Sequence, residues 1–165
     1  MDILQQCAQS YAELCSYTYK CTIARKNSAQ ELKFEFSPYE FRHLAGLHRL
    51  ESKRLRTNSE RLMKDALSGK LTIEELKKAP NWSQEAETVL GRLAALKQLD
   101  VLMNEFVQIY GFSARKLIPE VHTKIEADYL IKFELEEGIT FFFSVQQKEN
   151  YCGRSIFINN TREYP

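Results

Sequence analysis

The sequence contains no long hydrophobic run. No stretch approaches the roughly 20 apolar residues that a bilayer-spanning helix needs, so no membrane association of that type is expected. Met1 to Ser10 carry Asp2 and several glutamines, with neither a basic segment nor an apolar core. A secretory signal is therefore not expected, and the cytoplasm is the expected address. Glycine and proline are scarce, six and four in 165 residues, and no low-complexity linker divides the chain. Neither sign of charge is in excess, since 23 basic against 22 acidic side chains leave a net charge of +1. A global attraction to nucleic acid is thus absent, and an anion-binding surface has to come from local segregation of charge. Only four cysteines occur, and no two have CxxC spacing. Cys7 and Cys15 lie two turns apart on one apolar helix face. They read as small buried thiols rather than as zinc ligands or disulfide partners.

What remains is an ordinary globular mixture, 44% apolar and 27% charged, in a chain of one-domain length that can bury a core without metals or cross-links. One α+β domain over residues 1–165 is expected, with a helical insert or layer at about 58–110. Ile3, Leu4, Cys7, Tyr11, Leu14 and Cys15 repeat at helical spacing. From Tyr19 to Phe36 the period changes to two. Leu32, Phe34 and Phe36 alternate with Glu31, Lys33 and Glu35, which predicts a β-hairpin with one buried face. Ser37-Pro38-Tyr39-Glu40 is a helix start with a capping box, and the helix is expected to cover Pro38–Leu50 and run on. Thr57-Asn58-Ser59-Glu60 and Thr72-Ile73-Glu74-Glu75 start two more. A long helix follows, expected from Ser83 to Tyr110 with Gly111 as its stop. The last third is read as a three-stranded antiparallel meander. Its first strand carries Ile125, Ala127, Tyr129, Ile131, Phe133 and Leu135 on one face, with a turn at Glu137-Gly138. Its second strand is Ile139 to Gln147, where Phe141-Phe142-Phe143 suggests burial on both faces, and its third is Arg154–Asn159. The fold expected is a set of helices packed on a small antiparallel sheet made from hairpin and meander.

Two of the three histidines fall in one segment, Phe41-Arg42-His43-Leu44-Ala45-Gly46-Leu47-His48-Arg49-Leu50. On a continuous helix His43 and His48 would lie about 140° apart, which does not suit joint metal binding. No metal or cofactor is expected. On the same helix Arg42, Arg49, Lys53 and Arg56 would fall within about 60° of one another. Such a basic stripe serves as a phosphate track or as a plain solvated face, and the only acidic residue between Glu40 and Glu60 is Glu51. His48 lies in the apolar stripe. It is either a core histidine or a half-buried imidazole whose protonated form is disfavoured by burial and by nearby arginines, which would suit a general base. Gly46 is unfavourable inside a helix, and the close approach of another backbone or of a ligand would explain it. Near the end, Tyr151-Cys152-Gly153-Arg154-Ser155 can place two donors beside a phosphate, although such a sequence is common in hairpins. Arg115 and Lys116 are a weak basic pair, and His122 has no assigned role.

The segment Phe41 to Leu50 resembles the F-x-H-L-x-G-L-x-x-L helix of a phage and mobile-element branch of the barnase–EndoU–colicin–RelE nucleases. Ala127-Asp128-Tyr129-Leu130 and Ser155-Ile156-Phe157 resemble that family's strands. The resemblance covers about residues 31–50 and 124–164, and it leaves residues 58–110 unaligned. It implies a compact α+β fold that cuts RNA by way of the 2′-hydroxyl, without metal, in a toxin or phage effector. It places His43 at the motif histidine and Ser155 at the last-strand serine, and in a ribonuclease His43 would act as acid or base and Ser155 as a catalytic donor. Chemistry and position add His48 as an acid or base and Arg42, Arg49, Lys53 and Arg154 as phosphate binders. The partners implied are RNA and a protein inhibitor such as an antitoxin. The other reading is a non-catalytic module of the same fold that binds RNA or a protein, or that dimerises through the helix at 83–110.

Overall fold

Helix α1 (Ile3–Leu14) buries Leu4, Cys7, Tyr11 and Leu14 of the stripe read from the sequence, together with Ala8, while Ile3 and Cys15 are half-buried. Its first turn is capped by Asp2, whose Oδ1 accepts from the Leu4 N–H at 2.8 Å. The other carboxylate oxygen accepts from the Ile73 N–H at 3.0 Å. One side chain thus caps α1 and also holds the first N–H of α4 (Ile73–Leu76), far along the chain, whose own cap is Thr72. The computed structural model describes residues 2–25, 27–104, 108–113, 126–135 and 138–159. Ile125, Glu137, Arg115, Lys116 and His122 lie outside the described residues. The two-faced burial expected of Phe141, Phe142 and Phe143 concerns side chains outside that set.

The expected hairpin forms from β1 (Thr18–Arg25) and β2 (Ser28–Glu35). Leu32 and Phe34 are buried, while Glu31, Lys33 and Glu35 face solvent. The meander forms from β4 (Tyr129–Leu135), which leaves out the expected Ala127, β5 (Gly138–Gln147) and β6 (Asn150–Asn159), which starts four residues before the expected Arg154. Hairpin and meander join, with a short strand β3 (Gln108–Gly111), into one mostly antiparallel sheet of six strands, in the order β1-β2-β6-β5-β4-β3. The joint is the parallel pairing of β2 with β6, in register at Phe34 and Tyr151, whose rings lie 5.7 Å apart.

The sixth strand corrects the sequence reading. The long helix α5 (Trp82–Asn104) runs unbroken through Gly91 but ends before Tyr110. Gln108–Gly111 forms the edge strand β3 against β4. Only four residues make this strand, too few for alternation to overrule the helical period before it. The helical layer also includes α2 (Phe41–Leu44) and α3 (Ser59–Leu67). The cap of α3 is Asn58, not Thr57, and its Oδ1 accepts from the Arg61 N–H at 2.7 Å. Helix α5 packs against α1 and reaches β6, and α2 touches both α3 and β6. The apolar face of α5 is spent within the chain through buried Val89, Leu93, Leu96 and Leu99, while Leu90 and Val101 remain exposed.

Candidate functional site

The segment that carries the histidines is not one helix. Helix α2 lasts only from Phe41 to Leu44. Gly46 then turns into the left-handed region at φ 75°, and Leu47–Arg49 forms a 3-10 turn that ends in extended Leu50. A second 3-10 turn covers Lys53–Arg56. The start of α2 is fixed by half of the expected capping box, because Glu40 Oε2 accepts from the Ser37 N–H at 2.8 Å. The buried Tyr11 hydroxyl faces the same carboxylate oxygen at 3.2 Å and the Ser37 carbonyl at 3.0 Å. Ser59, at the start of α3, accepts from the Arg42 N–H and donates to the Pro38 carbonyl, each at 2.8 Å. Asn81 holds the far side of the segment by accepting from the Glu51 N–H and donating to the Arg49 carbonyl. Glycine's tolerance of positive φ is what permits the break.

The break overturns the angular estimate made for a continuous helix. His43 and His48 stack, ring centroids 4.2 Å apart and planes 20° from parallel. His43 is exposed and His48 is half-buried, with its Nδ1 sealed from solvent and without a hydrogen-bond partner. The basic stripe expected of Arg42, Arg49, Lys53 and Arg56 does not form as one helix face. Lys53 and Arg56 stand exposed on the second 3-10 turn. Arg49 is ion-paired through its Nε and Nη2 to Glu85 of α5. Arg42 is half-buried, with its Nε sealed and unpartnered.

Strand β6 approaches from the other side. Phe143 pairs with Ser155 and Ser144 with Gly153, so Arg154 has no opposite number and occupies a bulge. A bulge of this kind re-aims side chains. Arg154 is exposed, and Ser155 beside it is 5% exposed. Arg154 lies near enough for its charge to act on His43. The covering of the ring on its stacked side foremost, then the charges of Arg92, Arg154 and Arg42, hold the His43 imidazole below its ordinary value, although the residue as a whole is exposed. Burial, His43 and Arg92 push His48 down to about 4, against the pull of the Arg42 carbonyl, with Arg49 adding to the decrease. Both rings are therefore neutral at neutral pH.

The sequence reading missed Arg92. It comes from α5, is 4% exposed, and donates from Nη1 to the His43 carbonyl at 3.1 Å. The signal was present. Arg92 occupies a place in the stripe of Val89, Leu93, Leu96 and Leu99, where an apolar residue belongs. A cavity of about 450 Å³ opens at the end of β2 and the start of β6, with Phe36, Glu40, Asn150, Tyr151 and Cys152 among its walls, and neither histidine of the pair lines it. Burial keeps the Glu40 carboxyl above its ordinary value and raises the Cys152 thiol to about 11. Among the described residues no group of three or more histidine, cysteine or acidic side chains is placed to hold a metal ion, and no helix is long and apolar enough to cross a membrane.

Helices layered on a mostly antiparallel sheet, with a histidine pair at the junction of helix and last strand, define an α+β domain. Over residues 3–164 the chain matches the family model described as phage-Barnase-EndoU-ColicinE5/D-RelE like nuclease4, and it belongs to that phage-associated nuclease family. No curated protein and no solved structure matches it.

Proposed function

We propose that the chain is a metal-independent endoribonuclease, acting as a toxin or phage effector, that cuts RNA through the 2′-hydroxyl of the substrate. The observation that supports this best is the exposed, neutral imidazole of His43, stacked on His48 and under the charges of Arg42, Arg92 and Arg154. A neutral imidazole is a competent base, and guanidiniums suit the non-bridging oxygens of a phosphodiester and of its more highly charged transition state.

In this reading His43 takes the proton of the 2′-hydroxyl. The 2′-oxygen bonds to phosphorus, and the bond from phosphorus to the 5′-oxygen breaks. The leaving 5′-oxygen takes that proton from the His43 imidazolium, which leaves a 2′,3′-cyclic phosphate, a 5′-hydroxyl and His43 neutral again. The bound phosphate opposes the arginine charges and raises the His43 pKa toward the range an acid–base group needs. Arg154 and Arg42 hold the scissile phosphate, while Arg49 and Lys53 hold the backbone further along. His48 supports His43 from behind, and Ser155 anchors the strand segment that presents Arg154.

The test is incubation of purified protein with cellular RNA in excess chelator. Cleavage with cyclic phosphate ends is expected, lost in the His43→Ala, His48→Ala double variant and strongly reduced in Arg154→Ala. An RNA carrying 2′-deoxy sugars stays intact. Full cleavage by the double variant removes the site assignment. Tight RNA binding without any cutting makes the protein a binding module of the same fold.

A further inference from the structure

We infer that Arg92 is a positioning residue, whose guanidinium seats beneath the left-handed turn at Gly46 and fixes the His43–His48 stack. Three observations carry this. The His43 carbonyl accepts from the Gly46 N–H and from Arg92 Nη1, each at 3.1 Å, so the guanidinium completes the end of α2 at the residue that bears the exposed ring. The Arg92 stem fills the space that only glycine leaves open, since a Cβ on Gly46 would lie 2.9 Å from Arg92 Cδ. Arg92 is also 4% exposed, so it does not reach out to a substrate and acts through the histidines.

A buried guanidinium is costly to desolvate. Burial foremost, together with the charge of Arg49, brings Arg92 down to about 10, and Glu85 works in the opposite sense. It nevertheless remains charged at neutral pH. That charge bears on both rings. His43 is faced by Arg42 from its own helix, Arg92 from α5 and Arg154 from β6. His48 is faced by His43, Arg92 and Arg49. Arg92 is the only arginine common to both sets. It therefore sets the geometry of the pair and adds to the burial that holds both imidazoles below their ordinary value.

The inference rests on the proposed site for its catalytic meaning, but its test does not need activity. The side-chain signals of His43 and His48 are followed by NMR through a pH titration of the wild-type chain, Arg92→Met and Arg92→Lys, with RNA cleavage measured on the same samples. In the wild type both histidines are expected to titrate below the ordinary value, His48 lowest. Arg92→Met shifts both curves upward and weakens the contacts between the rings. Arg92→Lys keeps the low titration but not the ring geometry. Unchanged titrations and ring contacts in Arg92→Met overturn the inference. So do wild-type histidines that titrate at or above the ordinary value, a result that stands even if Arg92→Met does not fold. If the shifts appear and no variant cleaves RNA, the positioning role holds and the ribonuclease reading falls.

Discussion

His43 and His48 stand face to face, 4.2 Å between ring centroids, although five positions separate them in the chain. A regular helix would turn them to different sides. The left-handed conformation of Gly46 reverses the chain between them and makes the stack.

That relationship gives Gly46→Ala a definite outcome. An alanine at φ 75° is strained, and its Cβ would press on Arg92 Cδ. We expect a loss of about 2 kcal/mol in unfolding free energy, read from urea denaturation, together with loss of the ring stacking. A neutral effect would mean that the turn relaxes into a regular helix.

Stability should fall with acid in a particular window. Both imidazoles titrate lower in the folded chain than the ordinary 6.5, His48 at about 4. On acidification the unfolded chain takes up these protons first. The contribution of the neutral rings is complete above about pH 6.5 and drains away as pH falls toward about 4. Urea midpoints across that range should decline in the wild type and decline less in His48→Gln. Parallel curves for the two proteins would contradict the assignment.

The two hydrogen bonds accepted by Asp2 should be worth more than an ordinary cap. Asp2→Ala removes the partner of the Leu4 and Ile73 N–H groups together, and a single lost cap costs about 1 kcal/mol. Thermal unfolding should show a loss nearer about 2 kcal/mol, partly recovered in Asp2→Asn. A loss well below that of a single cap would show that water replaces the carboxylate at both sites.

The thiols should resist alkylation while the chain is folded. All four cysteines are free, and burial raises each of them, Cys15 to about 11 and Cys7 further. Iodoacetamide at neutral pH should label the native protein slowly and all four sites quickly in urea. Rapid native labelling of Cys7 or Cys152 would show that the core around them opens.

The sequence disclosed most of this architecture, because the long periodic elements announce themselves. The α1 stripe, the alternation of Leu32 and Phe34, and the run through Ile131 and Phe133 all bury the faces expected of them. Short elements were harder to read. Strand β3 is too brief for its alternation to register. The oddness of Gly46 was visible, but not that it ends α2, since the apolar positions on both sides of it fit one helix. At the candidate site, His43, His48, Arg42 and Arg154 were legible as residue types, while their convergence depends on a break and a bulge that no spacing encodes. Arg92 was passed over because a charge on an apolar stripe has meaning only when its neighbour across the interface is known.

The parallel joint between β2 and β6 sets an order of events. His43 is translated before Arg154, which follows roughly 110 residues later, a separation that slows assembly because a long loop must close before the contact rewards it. The hairpin and α2 can be made and still lack the strand that supplies the last arginine. If the arrangement cuts RNA, a nascent chain is harmless to the message being read until β6 has emerged and docked, so the topology itself serves as a delay.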